Sequence, residues 1–246
     1  MAEEVKSGFV AHLIELRDRL IKSLLSILVI FIAIVYFAND IYTFVAAPLI
    51  SHLPSTATMI ATDVTAPFFA PFKLTLFVAL FASIPWILHQ VWGFIAPGLY
   101  KHEKRMLMPI LASSIFLFYG GIAFCYFVVL PIILGFFTSA GPAMLTLAPD
   151  ISSYLGFVLK LFFAFGVAFE IPVAIMLLCW SGATTTQSLK EKRPYIVVGV
   201  FVVAMFLTPP DVLSQTLLAL PMLILFELGL ILAKFYTAKP QQEPEK

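Results

Sequence analysis

Residues Tyr154 to Trp180 read YLGFVLKLFFAFGVAFEIPVAIMLLCW, with only Lys160 and Glu170 interrupting the apolar run. A hydrocarbon layer about 30 Å thick is crossed by about 20 such residues in a helix, so this stretch predicts a membrane span. Similar runs recur on either side. A first span is predicted from about Leu20 to Phe37, ended by Asn39-Asp40, and a second from about Pro71 to Trp92, carrying Pro85 and interfacial Trp86, Trp92 and Phe94. A third runs from about Met106 to Leu130 and is closed by Pro131. The fifth is bracketed by Arg193-Pro194 and Thr208-Pro209-Pro210, leaving roughly 14 residues, or about 20 Å of helix. The sixth starts at Asp211, a plausible N-cap after two prolines, and is short as well if Glu227 marks an interface. This short hairpin is expected to thin the bilayer locally.

The charges set an orientation. Lys+Arg number 15 and gather as Lys6, Arg17, Arg19 and Lys22; Lys101, Lys104 and Arg105; Lys190, Lys192 and Arg193; and Lys234, Lys239 and Lys246, with only Lys73 and Lys160 elsewhere. Basic loops resist translocation, which puts both termini and two internal loops inside and requires an even number of crossings; six fits. The chain is 61% hydrophobic and 12% charged, with mean hydropathy +1.01, against about 25% charged in soluble domains. The expected fold class is therefore an all-α integral membrane protein of six transmembrane helices, N-in and C-in. A cytoplasmic amphipathic segment covers 1–19, with Glu15/Arg19 and Asp18/Lys22 in favourable i,i+4 order. The membrane domain covers 20–236, including an outer cap loop at about 39–70 broken by prolines, and a polar tail covers 237–246. The first 19 residues lack the apolar core of a cleavable signal peptide. A net charge of +1 without a basic patch gives no reason to expect nucleic acid.

Among polar groups, Glu170 stands first. It lies mid-span, where a carboxylate costs several kcal/mol unless protonated or paired. It faces either a neighbouring helix or a water-filled cavity. Glu15 and Glu103 sit on the predicted inner face beside aromatic and proline residues, and two carboxylates on one surface can take two guanidinium groups; each alone also reads as an ordinary solvated charge. Asp211, Gln215 and Thr216 cluster at the outer end of the short hairpin, where Asp211 reads equally as a helix cap and the Gln215 amide seeks a polar group on another helix. His12, His52, His89 and His102 show no ligand spacing, so no metal or other cofactor is expected. Cys125 and Cys179 fall in apolar runs and read as packing residues. No nucleophile elbow, zinc-protease motif or phosphate-binding glycine loop occurs, which argues against an enzyme.

The stretches His12-Leu13-Ile14-Glu15-Leu16-Arg17-Asp18-Arg19-Leu20, Phe94-Ile95-Ala96-Pro97-Gly98-Leu99-Tyr100-Lys101-His102-Glu103-Lys104-Arg105, Phe165-Gly166-Val167-Ala168-Phe169-Glu170-Ile171-Pro172, Lys192-Arg193-Pro194-Tyr195 and Leu207-Thr208-Pro209-Pro210-Asp211 resemble TatC, the largest subunit of the twin-arginine protein translocase, in its enterobacterial form. The resemblance covers about His12 to Tyr236. It implies a cup-shaped receptor in the bacterial inner membrane that binds the twin-arginine signal peptides of folded cargo at the cytoplasmic face. By that similarity Glu15 and Glu103 receive the arginine pair, Arg17, Phe94 and Lys101 shape the surface, and the apolar part of the peptide inserts toward Glu170. It also implies that single-span partners, TatB and TatA, dock near Met205, Thr208, Asp211, Gln215 and Thr216, that the subunit self-associates, and that the proton-motive force drives export. The runner-up reading, an ion-coupled small-molecule transporter with Glu170 as proton carrier, expects broken helices in repeated halves, whereas here the short spans are adjacent. An intramembrane hydrolase lacks a nucleophile–base pair.

Overall fold

The computed structural model describes residues 2–52, 60–95, 107–139, 150–207 and 212–237. Among them, helix is the only regular structure apart from one parallel bridge between Ile60 and Asp150. Four helical stretches are long and apolar enough to cross a membrane, and a bent helix pair makes a fifth. The chain divides into two compact units, Met1–Ile115 with Thr146–Leu155, and Phe116–Leu145 with Gly156–Lys246.

In the first unit, α1 (Ala2–Ile34) leads through a single 3-10 turn at Val35–Phe37 into α2 (Ala38–His52). Asn39-Asp40 therefore does not end the helical run as expected. The break comes earlier, and Asp40 lies in the first turn of the next helix, where unpaired N–H groups favour a carboxylate. The second predicted span is a bent pair, α3 (Ala66–Ala82) and α4 (Ile84–Ile95), meeting at 49°. Pro85 causes the bend, because it lacks an N–H and its ring crowds the carbonyl one turn back. Ser83 adds to it: its N–H donates to the carbonyls of Ala79 and Leu80, and its Oγ back-bonds to Ala79 O at 2.7 Å, which also favours a bend. No water is at hand in lipid, so a break survives only with such internal bonds. On α3, Ala66, Ala70 and Leu74 form a buried stripe at four-residue steps, extended by Pro71, Thr75 and Ala79. Its small residues let α3 lie close to α1 and α2.

A clasp closes the loop ahead of α3. Asp150 Oδ1 accepts from the N–H and the hydroxyl of Thr62 at 3.1 and 2.9 Å, while Oδ2 accepts from the N–H of Ser153 at 2.8 Å. Asp150 thus caps α7 (Ile151–Phe169), which begins three residues before the predicted Tyr154, and ties its start to the 60–65 turn. Hydrogen bonds from the N–H groups of Ser153 and Thr62 hold its carboxyl well below the usual carboxylate range. Hydrogen bonds from the N–H and hydroxyl of Thr65 lower the neighbouring Asp63 carboxyl.

In the second unit the third predicted span does not close at Pro131. Helix α5 (Leu107–Phe124) passes through a π turn at Cys125–Val129 into α6 (Leu130–Ser139), giving an apolar run of 29 residues from Met108 to Phe136. The Leu130 N–H donates to Cys125 O, one residue further back than in an α-helix. That shift just ahead of Pro131 accommodates its missing donor and carries the helix past it. At Gly121 a Cβ would lie 2.5 Å from the Phe165 carbonyl oxygen, and at Gly166 it would lie 2.7 Å from the Phe118 ring. Both glycines therefore permit a close crossing of α5 with α7. Helix α8 (Ile171–Trp180) packs on α11 (Val212–Thr237) through Ile175, Cys179, Phe226, Leu230 and Ala233. Both cysteines are free and buried.

The short α9 (Thr186–Glu191), capped by Thr185, precedes α10 (Arg193–Leu207), whose 15 residues span about 22 Å, close to the predicted length. The expectation of a short sixth helix needs correction, since α11 has 26 residues. The helix runs on past Glu227, which pairs with Arg193 at 2.5 Å, to Thr237. Only the part of α11 ahead of Glu227 matches α10 in length.

Gly121→Ala should cost about 1–3 kcal/mol through overpacking, whereas Gly120→Ala, which meets nothing within 4 Å, should be neutral or stabilising. Thermal unfolding of both variants in detergent checks the contrast. Because the Asp150 carboxyl is held low, its stabilisation is fully present above the unfolded-state value and fades as the pH falls through the folded one. The gap in melting temperature between wild type and Asp150→Ala should thus be constant from about pH 8 to about pH 5 and shrink only below about pH 4.

Candidate functional site

One corner of the first unit gathers residues from two distant segments. Arg19, on α1, donates through Nε and Nη2 to Glu15 Oε1 at 3.0 and 2.7 Å. The same guanidinium reaches α4, where Nη1 donates to Gln90 O at 3.3 Å and Nη2 to Gly93 O at 2.9 Å. Near a helix C-terminus carbonyls run short of partners and the dipole favours a cation, which is why an arginine settles there. A Cβ at Gly93 would collide with Arg19 Nη1, so the absence of a side chain makes room for the fork. One residue on, the Phe94 ring stacks on His12 with centroids 4.2 Å apart and planes inclined by 19°.

Glu15 and Phe94 are thus brought together. Arg17 is not part of the fork; it is exposed and pairs with Asp18 at 2.8 Å. Lys101 and Glu103 lie outside the described residues. Arg19, His12 and Gly93 were not singled out as site residues from sequence. A glycine set between Trp92 and Phe94, in the last turns of a helix, was the available signal for a close approach.

A second polar set lies on the α10–α11 hairpin. The Arg193–Glu227 pair joins the start of α10 to α11, with both side chains 46% exposed. Near the start of α11, the Gln215 amide donates to Phe201 O at 2.9 Å, so it does find a polar group on another helix, and Thr216 donates to Val212 O within its own helix at 2.6 Å. Met205 is half exposed, in line with exposed Val198, Val202 and Phe206. Thr208 and Asp211 lie outside the described residues.

Glu170 forms the turn between α7 and α8. Its N–H donates to Val167 O at 3.0 Å and its carbonyl accepts from Ala174 at 2.9 Å. Pro172, in the first turn of α8, suits a helix start because its missing donor would have had no partner there. The side chain is partly buried among apolar helices. Among the described residues, no group of three His, Cys, Asp or Glu side chains is placed to hold a metal ion.

The family described as Sec-independent protein translocase protein (TatC) matches residues 11–221. The chain belongs to the TatC family. It is 57% identical over 237 residues to the Sec-independent protein translocase protein TatC of Haemophilus influenzae, covering 96% of this chain and 93% of that protein. To the same-named protein of Escherichia coli K12 it is 56% identical over 245 residues, covering 100% and 95%. Among solved structures, a crystal structure of the twin-arginine translocase receptor TatC superposes with a TM-score of 0.83 at 39% identity, covering 92% of this chain and 99% of that one. TatC proteins are components of a protein translocase and not enzymes, so the transporter and hydrolase readings give way.

Proposed function

We propose that this TatC chain is the receptor subunit that binds twin-arginine signal peptides of folded cargo at the cytoplasmic face of the bacterial inner membrane. The observation that carries this reading is the corner where Arg19 ties Glu15 to the end of α4, beside Phe94 stacked on His12. Two segments about 75 residues apart in sequence, whose motifs implied recognition, are thereby neighbours in space. Glu15 and Glu103 receive the arginine pair, with Arg17, Phe94 and Lys101 shaping the surface. A carboxylate–guanidinium contact is a charge-assisted hydrogen bond, contributing about 1.5–3 kcal/mol each. The apolar part of the peptide follows the hydrophobic helices toward Glu170, whose polar head marks the depth it reaches.

The six-span, N-in and C-in arrangement counts α10 as the fifth crossing. From the Arg193–Glu227 pair to Leu207 on α10 and to Val212 on α11, the two helices rise about 22–24 Å, less than a hydrocarbon layer of about 30 Å. Exposed apolar side chains on α10, Met205 among them, offer a face for the single spans of TatB and TatA, with Thr208, Asp211, Gln215 and Thr216 adding polar contacts near the turn. The proton-motive force drives export, the subunit self-associates, and the outer loop at 39–70 and the tail at 237–246 flank the membrane domain. Thinning beside the hairpin weakens the bilayer where cargo crosses.

Binding of a twin-arginine peptide to the full chain in nanodiscs tests recognition. Glu15→Gln and Glu103→Gln should each weaken it by roughly tenfold or more, and replacing Arg-Arg by Gln-Gln in the peptide should abolish it; affinities unaltered by all three changes would refute the assignment. Inserting one turn of Leu and Ala into α10 should reduce export in cells while assembly stays normal. Full export from the lengthened hairpin would remove thinning from the mechanism.

A further inference from the structure

Arg19 uses its whole guanidinium edge. Nε and Nη2 converge on a single oxygen of Glu15, while Nη1 and Nη2 reach two carbonyls near the end of α4. Its side chain is 24% exposed, less than the 37% of its Glu15 partner. A planar fork held by four hydrogen bonds on two helices has little freedom left, so it orders both elements at once. The consequence for Glu15 is geometric. Oε1 is saturated by the protein's own guanidinium, and among the described residues Oε2 accepts no hydrogen bond. The consequence for α4 is that its last turn, which carries the Phe94 ring stacked on His12, is fixed to the same helix that carries Glu15.

We infer that Arg19 is the positioning residue of the recognition corner: it locks the Glu15 carboxylate and the Phe94 turn into one rigid acceptor and leaves Oε2 as the oxygen offered to an incoming cation. This rests on the receptor reading above and deepens it. A carboxylate free to rotate would lose side-chain entropy on each binding event, whereas one already held does not. Lysine cannot replace this arginine, since an ammonium is a point charge without a planar fork to bind Glu15 and two carbonyls together. Arg19 touches no ligand in this scheme; it acts through Glu15 and Phe94.

The test is twin-arginine peptide affinity on the full chain in nanodiscs for wild type, Glu15→Gln, Arg19→Gln, Arg19→Lys and the Glu15→Gln/Arg19→Gln double variant. Arg19→Gln should weaken binding by roughly tenfold, and Arg19→Lys, which keeps the charge, should do the same. The double variant should be no worse than either single change, a non-additivity expected only if both act through one unit. Should Arg19→Gln lower the amount of inserted chain, Gly93→Val expels the same guanidinium while keeping both charges and carries the same expectation. Full rescue by lysine, or affinity within about twofold of wild type on loss of the fork while Glu15→Gln still binds weakly, would overturn the positioning role alone. Normal binding by Glu15→Gln itself would remove Glu15 from the acceptor and overturn this inference, while the receptor reading would then stand or fall with Glu103→Gln and the Gln-Gln peptide.

Discussion

In hydrocarbon no water is available to a stray N–H or C=O, so every interruption of a helix must be sealed by the chain itself. This sequence carries 17 prolines, and its architecture follows from how each break is repaired. At Pro85 the helix bends by 49°, with the Ser83 hydroxyl bonded back to the preceding turn. Ahead of Pro131 a π turn shifts the bonding by one residue and the helix continues past it. At Pro172 the repair is a true turn, and the residue it places there is Glu170. Similar prolines thus produce a bend, a bulge or a turn, according to which neighbouring groups can take up the orphaned bonds.

The same contrast explains what could be read in the sequence. Membrane character, the apolar runs and the brevity of α10 followed from composition and from bracketing prolines, because these depend on local chemistry. Boundaries failed where a local stop signal was overruled. Asn39-Asp40 proved to begin a helix, Pro131 to lie inside one, and Glu227 to be neutralised by Arg193, 34 residues away. At Pro131 the repair is local, a shift of bonding that proline alone does not announce, whereas the partner of Glu227 lies on another helix. The corner around Arg19 shows the same division. Glu15 and Phe94 were marked by their motifs, whereas Arg19 was read only as an i,i+4 partner, since its two contacts on α4 are 71 and 74 residues distant.

Electrostatics at that corner favours a fixed receptor over a flexible one. A cation built into the fold lowers the pull of Glu15 on a second cation, yet it removes the cost of orienting the carboxylate. A receptor that reads a short charged motif, as proposed above, gains most from an acceptor whose orientation is set in advance.

The Asp150 clasp has a bearing on the order of biogenesis. Thr62 and Asp150 are separated by 88 residues, and their bonds exist only once both are in place. At synthesis rates of about 5–20 residues per second, the loop ahead of α3 waits roughly 4–18 s before its anchor is made. Throughout that interval the early helices must be held in the bilayer by their own apolar surfaces, and the clasp becomes a late fastening that registers the arrival of the fourth hydrophobic segment.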